Sequence, residues 1–240
     1  VELLLACLIV FAAMVIRGFT GFGGALLMVP LLGLVWDVRL AIVLVACIQF
    51  VTGMMLVSLA RKSVNWPVLM PMLLVGAIGL AAGSYLLARL PVEWIARIVG
   101  VVAVVLGLIS LLRRVAIAQE IARPPVALTA GVGLTAGLLH GLVGTSGPVM
   151  VPYLQRLLPS PSAMRATLLC YFLILDVLRI GGYLRLGVID GTVLRWAVWL
   201  IPVAILGSVV GARIQVQVSD NVFRIAVSSL LIVAGALLLV

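Results

Sequence analysis

Charge is what this sequence has least of. Only 10% of its 240 residues are Asp, Glu, Lys or Arg, and seven are acidic. A soluble domain is roughly a quarter charged and about half apolar. Here 65% of residues are hydrophobic and mean hydropathy is +1.39, which excludes a water-soluble fold. A single histidine excludes a multi-His metal centre. The three cysteines, Cys7, Cys47 and Cys170, sit inside apolar segments without ligand spacing, so neither metal nor cofactor is expected. Basic residues number 16, but they form no long run and are not interleaved with aromatics, which argues against nucleic acid. Scattered over short loops and helix ends, they instead suit topology control and contact with anionic lipid. No motif for nucleotide binding is present, and no leader pattern precedes the first apolar segment.

What the sequence has is apolar runs and 24 glycines. The runs fall at about 3–17, 25–35, 40–60, 66–88 and 94–112, then at 126–139, 148–158, 163–184, 191–212 and 221–240. A polar stretch at 113–125 separates two groups of five. We therefore read one membrane domain, 1–240, made of a first repeat at 1–112, a linker at 113–125 and a second repeat at 126–240.

The repeats match in detail. Arg17-Gly18-Phe-Thr20-Gly21-Phe22-Gly23-Gly24 leads to Met28-Val29-Pro30, and His140-Gly141-Leu-Val-Gly144-Thr145-Ser146-Gly147 leads to Met150-Val151-Pro152. Gly79-x-x-x-Gly83 matches Gly207-x-x-x-Gly211, and Arg97 matches Arg224. The later segments of each repeat are long enough to span a hydrocarbon core of about 30 Å. The arms flanking each glycine break are not, since 3–17 reaches roughly 22 Å and 25–35 roughly 16 Å at about 1.5 Å per residue. Each pair is thus a re-entrant hairpin or one broken span.

Charge separates the two. Hairpins followed by three spans invert the second repeat, and one face then collects Arg61, Lys62, Arg113, Arg114, Arg123, Arg156, Arg165, Arg213 and Arg224. The opposite face holds Arg39, Arg89, Arg97, Arg185 and Arg195. A single span per pair would nearly abolish that bias, so the positive-inside rule favours inversion, with both termini away from the cytoplasm. The fold expected is an all-α polytopic membrane protein. It has two inverted repeats, each a glycine-rich re-entrant or broken hairpin followed by three transmembrane helices, in the cell membrane (the inner membrane in a bacterium).

Irregular backbone at membrane depth is tolerated where it lines a cavity or is buried in protein, and matched breaks in two halves point to a binding site. Each tip starts a helix whose first N–H groups lack partners and carry partial positive charge. Glycine lets a ligand approach those amides, and Thr20, Thr145 and Ser146 add hydroxyls. A small anion fits this chemistry, with Arg17 and His140 adding charge. The expected binding set is Arg17, Gly18, Thr20, Gly21, Phe22, Gly23 and Gly24 with His140, Gly141, Gly144, Thr145, Ser146 and Gly147. The plain alternative for the glycines is close helix packing. Asp176 and Arg179, three apart, share a helix face as an intrahelical pair or as a gate or coupling site, with Gln49 near the equivalent level in the first half. The Gly-x-x-x-Gly pairs pack helices within the subunit and leave a homodimer open.

The paired Gly-x-x-Gly-x-(Gly/Ser)-Gly breaks, each followed by Val-Pro, resemble the TauE/SafE family of sulfite exporters. The resemblance runs over essentially the whole chain. It implies transport of sulfite or related organosulfonates, with no enzymatic step. Two rival readings share the scaffold. One is a passive anion channel. The other is an intramembrane serine protease using Gly144-Thr145-Ser146-Gly147, which needs a base within reach of the serine.

Overall fold

The structure is a computed structural model that describes residues 2–60, 63–112, 125–158, 160–213 and 220–239. The expected linker, apart from Pro125, lies outside the described residues, as do Arg61, Lys62 and the side chains of Thr20 and Arg224.

Among the described residues ten helices follow in order: α1 Glu2–Thr20, α2 Gly24–Gly33, α3 Val38–Ala60, α4 Trp66–Arg89, α5 Val92–Leu112, α6 Val126–Leu142, α7 Gly147–Leu157, α8 Pro161–Arg185, α9 Gly191–Arg213 and α10 Asp220–Leu237. There is no strand among the described residues, so the protein is all-helical as expected. Among the described residues five helices are long and apolar enough to cross a membrane: α3, α4, α5, α8 and α9. The sixth expected span, α10, has 18 residues. Large apolar side chains point outward, Leu74, Ile78, Val198 and Leu206 each being more than 60% exposed. Arg17, His140, Asp176 and Arg179 are buried. This inside-out arrangement suits lipid as the solvent.

Helix starts are capped where the chain turns between long helices. Asp37 Oδ1 accepts the Arg39 and Leu40 amides at 2.7 and 3.1 Å to open α3. Asn65 accepts Val68 N–H at 3.2 Å to open α4, and Asp190 accepts Val193 N–H at 2.9 Å to open α9. Each cap satisfies an amide that the helix itself leaves unpaired.

Two helical hairpins hold the breaks. Gly24 lies against Met14 and Arg17 of α1, so the chain reverses at 21–23. In the second repeat the Thr129 and Tyr153 hydroxyls meet at 2.6 Å, bringing the start of α6 beside the latter half of α7. The broken-span alternative therefore does not hold in either repeat. The first arms are also longer than the glycine pattern suggests. Helix α1 runs through Arg17 and Gly18, and α6 through His140 and Gly141. Glycine does not end a helix when its missing side chain makes room for a neighbour.

That neighbour comes from the other repeat. Helix α1 packs along α9 and α6 along α4, the two most extensive contacts in the fold. A Cβ on Gly211 would lie 2.0 Å from Val15 O, and one on Gly18 would lie 2.4 Å from Ser208 O. In the matching pair, a Cβ on Gly137 would lie 2.0 Å from Gly76 O, and one on Gly83 would lie 2.3 Å from Leu138 O. At the centre α3 packs on α8. Ile42 lies beside Arg179 and Gly53 beside Leu173, so the two helices run antiparallel. Helices α5 and α10 are antiparallel as well, Gly100 meeting Gly235 while Gly107 meets Ser228.

Candidate functional site

At the two breaks the backbone leaves the helix over 21–23 and 143–146. Gly21, Gly23 and Gly144 have φ of 83°, 89° and 87°, a left-handed conformation that costs an L side chain roughly 1–2 kcal/mol. These three glycines are needed for the turns. At Gly144 space is tight too, because a Cβ would lie 3.0 Å from two nitrogens of Arg179. The breaks touch each other: a Cβ on Gly147 would lie 3.0 Å from Phe22 Cδ2.

Unlike α3, α4 and α9, the helices that leave the breaks have no side-chain cap. Gly23 precedes α2 and Ser146 precedes α7, and neither side chain bonds an amide of its helix. The first N–H groups of α2 are therefore available to a ligand. Helix α7 offers fewer, since Pro148 in its first turn has no N–H, a point the sequence states but the glycine pattern obscures.

Each break is preceded by a buried side chain reaching 35 or 36 positions ahead, onto the long central helix of its own repeat. Arg17, 1% exposed, donates through Nη1 to Thr52 Oγ1 at 3.0 Å and to Gln49 O at 3.4 Å on α3. His140, also 1% exposed, meets Asp176 Oδ1 on α8 through Nε2 at 2.9 Å. Its Nδ1 lies 3.3 Å from Ser146 Oγ, so Ser146, His140 and Asp176 form a continuous hydrogen-bonded chain to the second break. Arg179 sits 4.0 Å from Asp176 Oδ1, donates through Nε to Tyr183 Oη at 2.8 Å and through Nη2 to Ile42 O at 3.4 Å. Tyr183 in turn donates to Gly141 O at 2.8 Å, closing the end of α6.

Several polar atoms in this cluster have no hydrogen-bond partner: Arg17 Nε and Nη2, Arg179 Nη1, Asp176 Oδ2 and Gln49 Oε1. Buried polar groups are nearly always paired, and an unpaired buried guanidinium is costly. A Cβ on Gly53 would lie 3.6 Å from Arg17 Nη2 and 3.5 Å from Leu173 Cδ1, so that nitrogen faces the central helix pair beside an apolar side chain.

The structure distributes the expected residues unevenly. Arg17, Phe22, Gly24, His140, Gly144, Ser146 and Gly147 lie at or beside the two breaks, and Gln49, Asp176 and Arg179 join them from α3 and α8. Gly18 and Gly141 face α9 and α4, where they make close helix contacts. Thr145 is buried. Three participants escape a sequence reading. Thr52 is the partner of Arg17 and Tyr183 that of Arg179; the shared offset from Arg17 to Thr52 and from His140 to Asp176 was a signal available in the two halves. The third is Arg165, which looks like a topology charge. It is half-buried at the start of α8, donates to Gly18 O, and a Cβ on Gly21 would lie 2.9 Å from its Cγ. It covers the first break.

The family model for the sulfite exporter TauE/SafE matches residues 6–238. The probable inner membrane transporter protein TsaS of Comamonas testosteroni is 30% identical over 178 residues, covering 72% of this chain and 72% of that protein. No solved structure matches.

Proposed function

The chain belongs to the sulfite exporter TauE/SafE family, a family of multi-pass membrane transporters, and on that premise we propose that it moves a small sulfur oxyanion or organosulfonate bound between the two glycine breaks. One observation carries the reading: the buried cluster holds two guanidiniums and one carboxylate, with unpartnered donors on both guanidiniums. With His140 neutral, its formal charge is +1. Among the described residues no second buried carboxylate balances it, and an uncompensated buried charge costs about 3–5 kcal/mol, so a bound anion is the natural complement. The orphan amides of α2 and the hydroxyl of Ser146 replace part of its hydration. Antiparallel packing of α3 on α8 and of α5 on α10 supports two inverted repeats. A two-fold axis in the membrane plane then brings the breaks together near the midplane, where alternating access needs its site. Purified protein in liposomes is expected to take up sulfite and a small sulfonate saturably, and chloride far more slowly. Linear, non-saturating flux would replace the carrier with a channel, and no flux of any of these anions would overturn the substrate class.

A second reading has one observation behind it. Ser146, His140 and Asp176 have the order of a hydrolytic triad. Against it, the serine sits at the uncapped start of α7 close to the buried Arg179, and the first repeat has Gly23 in the place of Ser146, with no nucleophile. A fluorophosphonate probe is therefore expected to leave Ser146 unlabelled; stoichiometric labelling that His140→Gln abolishes would establish the hydrolase instead.

A further inference from the structure

Resting on that anion site, we infer that the protein takes up one proton, at His140 Nδ1, together with a dianionic substrate, and none with a monoanionic sulfonate. Among the described residues the buried ionisable cluster is Arg17, His140, Asp176 and Arg179. One bound monoanion cancels its +1 with His140 neutral. A dianion leaves an uncompensated negative charge in the interior, which a proton on the imidazole removes.

Hydrogen bonding selects the atom. Asp176 Oδ1 meets His140 Nε2 at 2.9 Å and faces Arg179 Nη1 at 4.0 Å, the position of a carboxylate. A carboxylate only accepts, so Nε2 carries the hydrogen and Nδ1 is the free acceptor. In the neutral state Ser146 O–H donates to Nδ1 across 3.3 Å. When a proton from water binds Nδ1, the direction reverses: Nδ1–H donates to Ser146 Oγ, and the serine hydrogen turns to the second break. The same proton that balances the extra charge thus supplies the extra donor a dianion needs.

Other groups around His140 do not compete. Tyr183 on α8 already donates to Gly141 O and accepts from Arg179. Arg17 on α1 donates to Thr52 Oγ1 and Gln49 O, and Cys47 on α3 is a partly buried free thiol. The charged residues of α4 and α7, Arg89 and Arg156, are exposed.

Calorimetry on the purified protein, in two buffers of different ionisation enthalpy, reads the proton count. Sulfate serves as the dianion and methanesulfonate as the monoanion, because neither titrates near neutral pH. The expected result is about one proton taken up per sulfate and about none per methanesulfonate. Above the pH at which His140 is neutral in the empty site, the sulfate Kd rises about tenfold per pH unit while that of methanesulfonate stays flat. In His140→Gln the proton uptake disappears and the affinity ratio of sulfate to methanesulfonate falls by about tenfold or more. Sulfate binding without proton uptake, proton uptake that survives His140→Gln, or a flat sulfate Kd overturns the inference, and so does binding of methanesulfonate but not sulfate. Binding of neither anion overturns the anion reading beneath it. If the variant does not fold, the pH series on the natural protein decides alone.

Discussion

Arg17→Gln is expected to abolish anion flux and to make the empty protein more heat-stable. The two effects have one cause. Arg17 makes two hydrogen bonds through Nη1, and its Nε and Nη2 are buried without partners. The glutamine amide ends two atoms short of Nη1, so the bond to Thr52 is given up, but Thr52 Oγ1 keeps its own bond to Ile48 O at 2.8 Å. What the substitution removes is a buried cation. With substrate bound, removing one partner of a buried charge pair costs about 3–5 kcal/mol, roughly two to three orders of magnitude in affinity. With the site empty, the same cation has little to set against its desolvation, and a neutral replacement gains about 1–3 kcal/mol. At a chain of this length that corresponds to a few degrees for each kcal/mol. Flux into liposomes and thermal melting without anion measure the two sides. Sulfite should also raise the melting temperature of the natural protein and not of the variant, since only a ligand that binds the folded state shifts it. A variant that loses flux and melts lower would instead make Arg17 a brace for the first hairpin.

The distinction between brace and site is where the sequence was legible only in part. Membrane class, duplication and the two breaks follow from hydropathy and from glycines at matched offsets. These are local properties, and the helices among the described residues reproduce the membrane class and the two breaks. The content of each break is not local. Gly18 and Gly21 look alike in the sequence, yet Gly18 lies inside α1 against Ser208 O while Gly21 takes a positive φ at the turn. A helix continues through glycine when another backbone needs the space, and only the partner helix reveals that. Arg165 is a similar case. As a loop charge it counts toward topology; in the fold it reaches Gly18 O and covers the break. The chain from Asp176 to Ser146 was hidden for a third reason. Its members stand 36 and six residues apart on three elements, and the sequence alone leaves Asp176 just as well paired to Arg179.

Packing glycines carry the largest expected loss of stability. Gly211→Ala and Gly137→Ala should each cost about 3 kcal/mol or more, the upper part of the range for overpacking a close contact. In both, the new Cβ would stand 2.0 Å from a backbone carbonyl oxygen, Val15 O for Gly211 and Gly76 O for Gly137. A flexible side chain could swing away from such a contact, but a carbonyl inside a helix moves only with its helix. Relief therefore requires α1 to part from α9, or α6 from α4, and those pairs hold the first arm of each break in place. Gly131→Ala and Gly181→Ala are the controls. Both glycines lie within helices and would meet nothing within 4 Å, so alanine should be neutral or stabilise by about 0.5–1 kcal/mol through helix propensity. Melting temperature and monodispersity in mild detergent separate the classes. If Gly211→Ala and Gly137→Ala behave like the controls, the close cross-repeat packing is wrong. If they fall as expected while Arg17→Gln melts higher, the interior contains two kinds of buried group: glycines that hold the helices together, and a cation kept unpaired at the expense of stability until an anion arrives.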